Sequence, residues 1–302
     1  MTQPVNGILL LDKPTGLTSN AALQRVKRLF RAKKAGHTGS LDPVATGLLP
    51  VCFGEATGFS QFLLESDKMY EVTAKLGEQT TTGDSEGEII KRLPVGHIEQ
   101  TQILNVMKHF VGEIDQVPPM FSAIKFKGRP LYELARRGIE VERHARRIKI
   151  FSIQLLALQQ DQFSFQLHCS KGTYVRTLVE DIGRDLGCGA HVICLRRTRV
   201  SPYDQSGMHT LAALEESAQK HGQAPLACLL PIETSVQTLF ALTLPVASAF
   251  YLRTGQCVRT TLPNGTEVGM RFKLYSEDEI FLGVGEVTTD GRIKPMRLVK
   301  SS

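Results

Sequence analysis

Residues 36–50 read Gly-His-Thr-Gly-Ser-Leu-Asp-Pro-Val-Ala-Thr-Gly-Leu-Leu-Pro, and in them one carboxylate, Asp42, and one imidazole, His37, stand among three glycines. Six cations precede them with no acid between: Arg25, Lys27, Arg28, Arg31, Lys33 and Lys34. A carboxylate in a tight loop beside that much positive charge is expected to stay ionised, because nearby cations favour the charged form. An ionised, fixed carboxylate is what nucleophilic catalysis requires. Other uses compete. Asp-Pro is a common helix start, with Asp as the cap and Pro at the first helical position. A phosphate-cradling loop would end in Gly-Lys-Ser/Thr, which is missing. A metal site would need a second carboxylate or imidazole at ligand spacing, and the loop has none. Local chemistry leaves Asp42 a candidate and nothing firmer.

Further segments resolve the choice by resemblance. The run 36–58 closely resembles the active-site segment of the TruB family of tRNA pseudouridine-55 synthases. Residues 7–19, Gly-Ile-Leu-Leu-Leu-Asp-Lys-Pro-Thr-Gly-Leu-Thr-Ser, look like that family's N-terminal signature. Residues 66–76, Ser-Asp-Lys-Met-Tyr-Glu-Val-Thr-Ala-Lys-Leu, fit its second motif. Residues 169–177, Cys-Ser-Lys-Gly-Thr-Tyr-Val-Arg-Thr, and 187–197, Gly-Cys-Gly-Ala-His-Val-Ile-Cys-Leu-Arg-Arg, fit the later ones. The motifs keep the family's order across the first two-thirds of the chain, with no departure at the positions that matter for the chemistry.

The resemblance implies conversion of the uridine at position 55, in the T-loop of tRNA, to pseudouridine. The C–N glycosidic bond breaks, the uracil turns in the site, and C5 replaces N1 as the attachment atom. Asp42 is implied as nucleophile, and Arg176 as its partner, which would lower its pKa. Tyr70 is implied to stack on the flipped uracil and to assist proton removal from C5. Tyr174 and Leu195 would line the base pocket, and His37 would contact the RNA where the base departs. Lys13 reads as structural. The chemistry needs neither cofactor nor metal. Rival readings fit less well: a non-catalytic RNA-binding protein has no use for Asp42, Tyr70 and Arg176 together, and a base-exchanging transglycosylase needs a second base pocket.

The elements that must hold these residues are legible in outline. Gly7 to Leu11 reads as a buried strand ended by Asp12-Lys13-Pro14. Thr18 or Ser19 can cap a helix whose Ala22, Leu23, Val26, Leu29 and Phe30 form one apolar stripe. Tyr70, Val72, Ala74 and Leu76 alternate with polar residues, as do Phe163, Phe165, Leu167 and Cys169, the period of half-buried strands. Val175, Leu178, Val179, Ile182 and Leu186 mark a second amphipathic helix, with Tyr174 and Arg176 flanking its stripe. Runs of strands with few helices predict an α+β fold on a mixed, largely antiparallel sheet. Residues 1–235 are expected to form the catalytic domain. Residues 241–302, broken by Gly255, Pro263-Asn264-Gly265 and Asp290-Gly291, are expected to form a small β-rich module, which the resemblance implies to be of the RNA-binding PUA type.

The 302 residues carry 36 basic and 30 acidic groups, a net +6 with a pI near 9.0. Residues 120–149 hold nine cations against three acids, a local excess equal to that of the whole chain. This stretch, with the thumb-like insertion 120–147 implied by resemblance, is expected to track phosphates through Arg136, Arg137, Arg146 and Arg147. No apolar run approaches a membrane span and no signal-peptide pattern opens the chain, so a cytoplasmic location is expected; the resemblance implies tRNA as partner, and a monomer with no obligate protein partner is expected. Cys188, His191 and Cys194 are spaced three apart, but they lack a fourth ligand and lie on strand-like sequence, so zinc is not expected.

Overall fold

The computed structural model describes residues 5–300. Ten strands form the main sheet. Across its width they run His209–Thr210, Gly7–Lys13, Thr46–Phe53, Ala190–Val200, Lys68–Leu76, Gln162–Cys169, Arg146–Gln159 and Gly112–Gln116. Ala35–His37 and Tyr203–Asp204 are added alongside Thr46–Phe53 and Ala190–Val200. Two pairings are parallel, Gly7–Lys13 with His209–Thr210 and Ala190–Val200 with Thr46–Phe53; the others in this sheet are antiparallel. The α+β class with a mixed, largely antiparallel sheet is the one expected.

Helices Ser19–Leu29 and Val175–Asp185 cover the face of the sheet that holds the main core. Thr18 caps the first helix, its hydroxyl accepting from the Ala21 N–H, and Ala22, Leu23, Val26 and Phe30 are buried beneath it. The alternation in Lys68–Leu76 works as the pattern requires: Val72, Ala74 and Leu76 are buried and Glu71 is exposed. The opening strand reaches two residues beyond Leu11, because Asp12 and Lys13 still pair with Leu48 and Gly47. That extension carries Lys13 under the site.

A second core, including Leu244, Leu252, Phe272, Leu274 and Ile293, belongs to a four-stranded sheet of Phe240–Leu244, Arg271–Ser276, Phe281–Val287 and Ile293–Leu298. It includes a helix, Val246–Arg253, that the turn-rich sequence does not announce. Phe59 packs on Phe281 with ring centroids 5.7 Å apart, joining this module to the main body through a small buried cluster with Val236 and Val284.

Between Gly112–Gln116 and Arg146–Gln159 the chain leaves the sheet. The excursion holds a short hairpin, Lys125–Phe126 with Arg129–Pro130, and the helix Leu131–Ala135. Arg146 and Arg147 lie outside it, paired in the sheet with Gln116 and Asp115. The basic run therefore spans the excursion and the first residues of a strand.

The tightest approach in the sheet is at Gly47, which adopts φ +97° with the Arg197 backbone against it; a Cβ there would lie 2.3 Å from the Arg197 carbonyl oxygen. Strain at a left-handed non-glycine residue costs about 1–3 kcal/mol, and the displaced strand adds to it. Gly47→Ala is expected to lower the unfolding free energy by at least about 2 kcal/mol, read from the urea midpoint; an unchanged midpoint would contradict this packing.

Candidate active site

Asp42 sits in the loop between Ala35–His37 and Thr46–Phe53, and its two chain neighbours are clamped from below. Ser19 holds Leu41 twice, its hydroxyl accepting from the Leu41 N–H at 2.7 Å and donating to the Leu41 carbonyl at 3.0 Å. The Pro43 carbonyl accepts from the Gly16 N–H at 2.9 Å and from Lys13 Nζ at 3.4 Å. Lys13 is fully buried and also donates to the carbonyls of Leu17 and Pro14. Its structural reading holds. No helix starts at Pro43, so Asp42 caps nothing.

The Asp42 carboxylate is instead bound by Arg176, with Nε 2.9 Å from Oδ2. Arg176 is buried on the first turn of Val175–Asp185, and every part of its guanidinium is engaged. Nη1 donates to the Thr82 carbonyl at 2.6 Å and lies 3.7 Å from Asp84 Oδ2; Nη2 donates to the Phe121 carbonyl at 2.7 Å, at the root of the basic excursion. An arginine held at three other points presents its Nε–H to Asp42 in one geometry.

The electrostatics differ from the expectation in one respect. Arg176 and Lys13 do favour the Asp42 carboxylate, but burial is the larger influence, and with the Asp84 charge it pushes the Asp42 pKa above the ordinary value. About 39% of the side chain still reaches the pocket, so the acid is enclosed by protein yet open to a substrate. The basic residues 25–34 are not the cations that act on Asp42. They lie on the outer face of their helix and beyond it, where Arg25 faces Glu215 and Arg31 donates to the Gly222 carbonyl. Amphipathicity explains the miss: the apolar stripe turns inward and takes the cations away from the loop.

A cavity of about 320 Å³ opens at Asp42, lined among others by Leu41, Tyr70, Tyr174, Arg176, Leu195 and Arg197. Five of the residues named from the sequence, Asp42, Tyr70, Arg176, Tyr174 and Leu195, thus meet on one pocket. Burial pushes the Tyr70 phenol up, so it is the neutral phenol at neutral pH. Tyr174 stands at the N-cap position of the helix that bears Arg176, and its backbone is gripped by the Gln116 side chain, which accepts from the Tyr174 N–H at 2.8 Å and donates to its carbonyl at 3.1 Å.

His37 is not part of the lining. It pairs with Val51 in the sheet, burial and the Arg197 charge lower its pKa, and its Nδ1 is buried without a hydrogen-bond partner among the described residues. Of the four phosphate candidates, Arg136 and Arg137 are exposed on the excursion, Arg136 over the Tyr132 ring at 5.5 Å. Arg147 is already paired, donating to Asp115 at 2.8 and 3.1 Å with Glu113 at 3.5 Å. The Cys188, His191 and Cys194 trio does not converge: Cys194 is exposed, whereas His191 is buried with Nδ1 3.3 Å from the Glu78 carbonyl. Among the described residues no group of three or more His, Cys, Asp or Glu is placed to hold a metal ion.

Sequence reading missed Asp84 and Arg197. Asp84 follows Thr82-Gly83 in what looks like a polar hairpin turn, and only its burial, 3% exposed, separates it from any surface acid. Arg197 carried a visible signal, an arginine two residues after Leu195 on one strand, hence on the same face.

A TruB family pseudouridylate synthase N-terminal domain matches residues 27–175, a tRNA pseudouridylate synthase B C-terminal domain matches 176–237, and a Pseudouridine synthase II TruB C-terminal domain matches 241–299. The chain is 52% identical over 299 residues to the tRNA pseudouridine synthase B of Coxiella burnetii, covering 99% of this chain and 96% of that protein. This chain belongs to the TruB family. A relative of the same name from Aeromonas salmonicida is 50% identical, with 98% and 94% covered. The fold is shared with a chain from an H/ACA RNP bound to a substrate RNA containing 2'-deoxyuridine, at TM-score 0.75 and 24% identity, over 100% of this chain and 92% of that one.

The acid side of the pH–rate profile tests the balance at Asp42. With its pKa raised, the carboxylate is lost on acidification at a higher pH than in a free aspartate, whose value is about 3.9. Replacing Arg176 with Gln removes the largest opposing influence, so the acidic limb of the single-turnover rate should move further up in pH. A limb that stays in place or moves down would contradict this account.

Proposed function

We propose that this TruB enzyme converts the uridine at position 55 of tRNA to pseudouridine, with Asp42 as the nucleophile. The observation that carries the reading is the convergence of a clamped, Arg176-paired carboxylate with Tyr70, Tyr174 and Leu195 on one base-sized cavity. The target base leaves its stack to enter that cavity, at a cost of about a few kcal/mol. There Tyr70 and Leu195 hold its faces and edge, and Asp42 assists cleavage of the glycosidic bond. Arg176 keeps the carboxylate directed at the reacting carbon and partly offsets its burial. The neutral Tyr70 phenol favours stacking and hydrogen-bond donation over a base role. His37, beside the pocket, contacts the RNA that the base has left.

Residues 1–235 act as the catalytic domain and 241–302 as an RNA-contacting module. The excursion after Gln116 serves as the thumb that closes on the T-arm, and its exposed cations supply phosphate contacts. We further propose a monomer as the working unit. No helix is long and apolar enough to cross a membrane among the described residues, and we place the enzyme in the cytoplasm, where its substrate is.

Asp42→Asn keeps the shape and removes the nucleophile, so pseudouridine formation should fall below detection while tRNA affinity stays within about threefold. Conversion of uridine to pseudouridine within unmodified tRNA, scored by chemical labelling, is the assay. A fully active variant would refute the assignment, and loss of binding and stability together would return Asp42 to a structural role.

The thumb should divide by pairing. Neutralising Arg136 and Arg137 is expected to reduce the slope of log K against log salt by roughly 0.7–0.9 per lost phosphate contact, with little change in rate at saturating tRNA. Neutralising Arg147, held by Asp115 and Glu113, should change the slope less. Equal effects at both places would show that Arg147 releases its acids when RNA binds.

A further inference from the structure

Arg197 is the largest fully buried side chain of the molecule as described, 1% exposed, yet neither Asp42 chemistry nor the phosphate contacts above account for it. Its Nε donates to the Leu48 carbonyl at 2.7 Å and its Nη2 to the Gly39 carbonyl at 3.1 Å. Gly39 and Leu48 stand on opposite arms of the loop that carries Asp42. The backbone of Arg197 pairs with Gly47 on one side and with Tyr70 on the other. Directly opposed residues of paired strands share a face, so the guanidinium and the Tyr70 ring point to the same side. Both line the pocket with Asp42 and Leu195. The adjacent Arg196 points the other way, in a two-bond pair with Asp12 at 3.0 and 2.9 Å.

We propose that Arg197 is a positioning residue for the isomerisation: one guanidinium ties both arms of the nucleophile loop and seats Tyr70 opposite it, so that carboxylate and phenol address the same base. A point-charge ammonium reaches one of these partners at a time, whereas the planar guanidinium spans two carbonyls with fixed geometry. Gly47 is what permits it, since any side chain there would push the Arg197 backbone out of line. The proposal rests on the reading of Asp42 as nucleophile. An active Asp42→Asn would remove that footing whatever Arg197 does, while the series below tests the bracing by itself.

The test is single-turnover pseudouridine formation with enzyme in excess, alongside tRNA Kd and thermal melting, for Arg197→Gln, Arg197→Lys and the control Arg196→Gln. Arg197→Gln should lower the saturated rate at least tenfold with tRNA Kd changed less than threefold. Arg197→Lys, which keeps the charge and most of the length and guards against loss of fold, should recover part of that rate. Arg196→Gln should leave the saturated rate unchanged. In a Tyr70→Phe background the penalty of Arg197→Gln should shrink at least threefold, because residues that act through one another do not add. A native rate in a folded Arg197→Gln, a parallel loss of affinity and rate, or undiminished penalties in the double variant would overturn the proposal. If neither Arg197 variant folds, the residue is structural and the proposal fails.

Discussion

The Asp42–Arg176 pair is the interaction on which the rest of the site depends. A carboxylate taken out of water resists ionisation, and a single buried partner repays that cost only with favourable geometry and further hydrogen bonds. The protein meets the condition by anchoring the arginine first: carbonyls of Thr82 and Phe121 and the nearby Asp84 hold the guanidinium from three sides. Asp42 is then offered one N–H in one direction. The net push on its pKa is still upward, because burial outweighs the one strong donor.

The same arginine links parts of the chain far apart in sequence. Position 42 lies on the glycine-rich loop, 82 and 84 on a hairpin, 121 on the excursion, and 176 on a helix. Gln116 adds a second tie between the base of the excursion and Tyr174. The root of the excursion thus bonds to Arg176 and Tyr174 on the Asp42 pocket, while Arg136 and Arg137 farther along it stay exposed. Phosphate contacts at the tip can therefore orient the RNA without altering the carboxylate's immediate surroundings.

Sheet topology explains why so few residues suffice. Ala190–Val200 runs between Thr46–Phe53 and Lys68–Leu76, so one central strand touches the Asp42 loop on one side and Tyr70 on the other. Side-chain alternation then decides roles two residues at a time: Leu195 and Arg197 face the pocket, and Arg196 turns away to Asp12. A slip of one residue would exchange these faces, and the close contact at Gly47 opposes such a slip.

Much of this was written in the sequence. The apolar stripe of Ser19–Leu29 and the alternation in Lys68–Leu76 follow from local periodicity, because one face of each element must be buried. The resemblance of five segments to one family named five pocket residues that the structure brings together. The sequence could not decide which charges face which. The cations of residues 25–34 are near Asp42 along the chain and turned from it in space, whereas Asp84, Arg176 and Arg197 are distant in sequence and adjacent in the fold. Nor did it separate Arg147, paired with Asp115 and Glu113, from the exposed Arg136 and Arg137 of the excursion. Local patterns record which side of an element is apolar; the pKa of a carboxylate, the partner of an arginine and the limits of an excursion from the sheet depend on long-range pairing and burial, and only the assembled sheet supplies those.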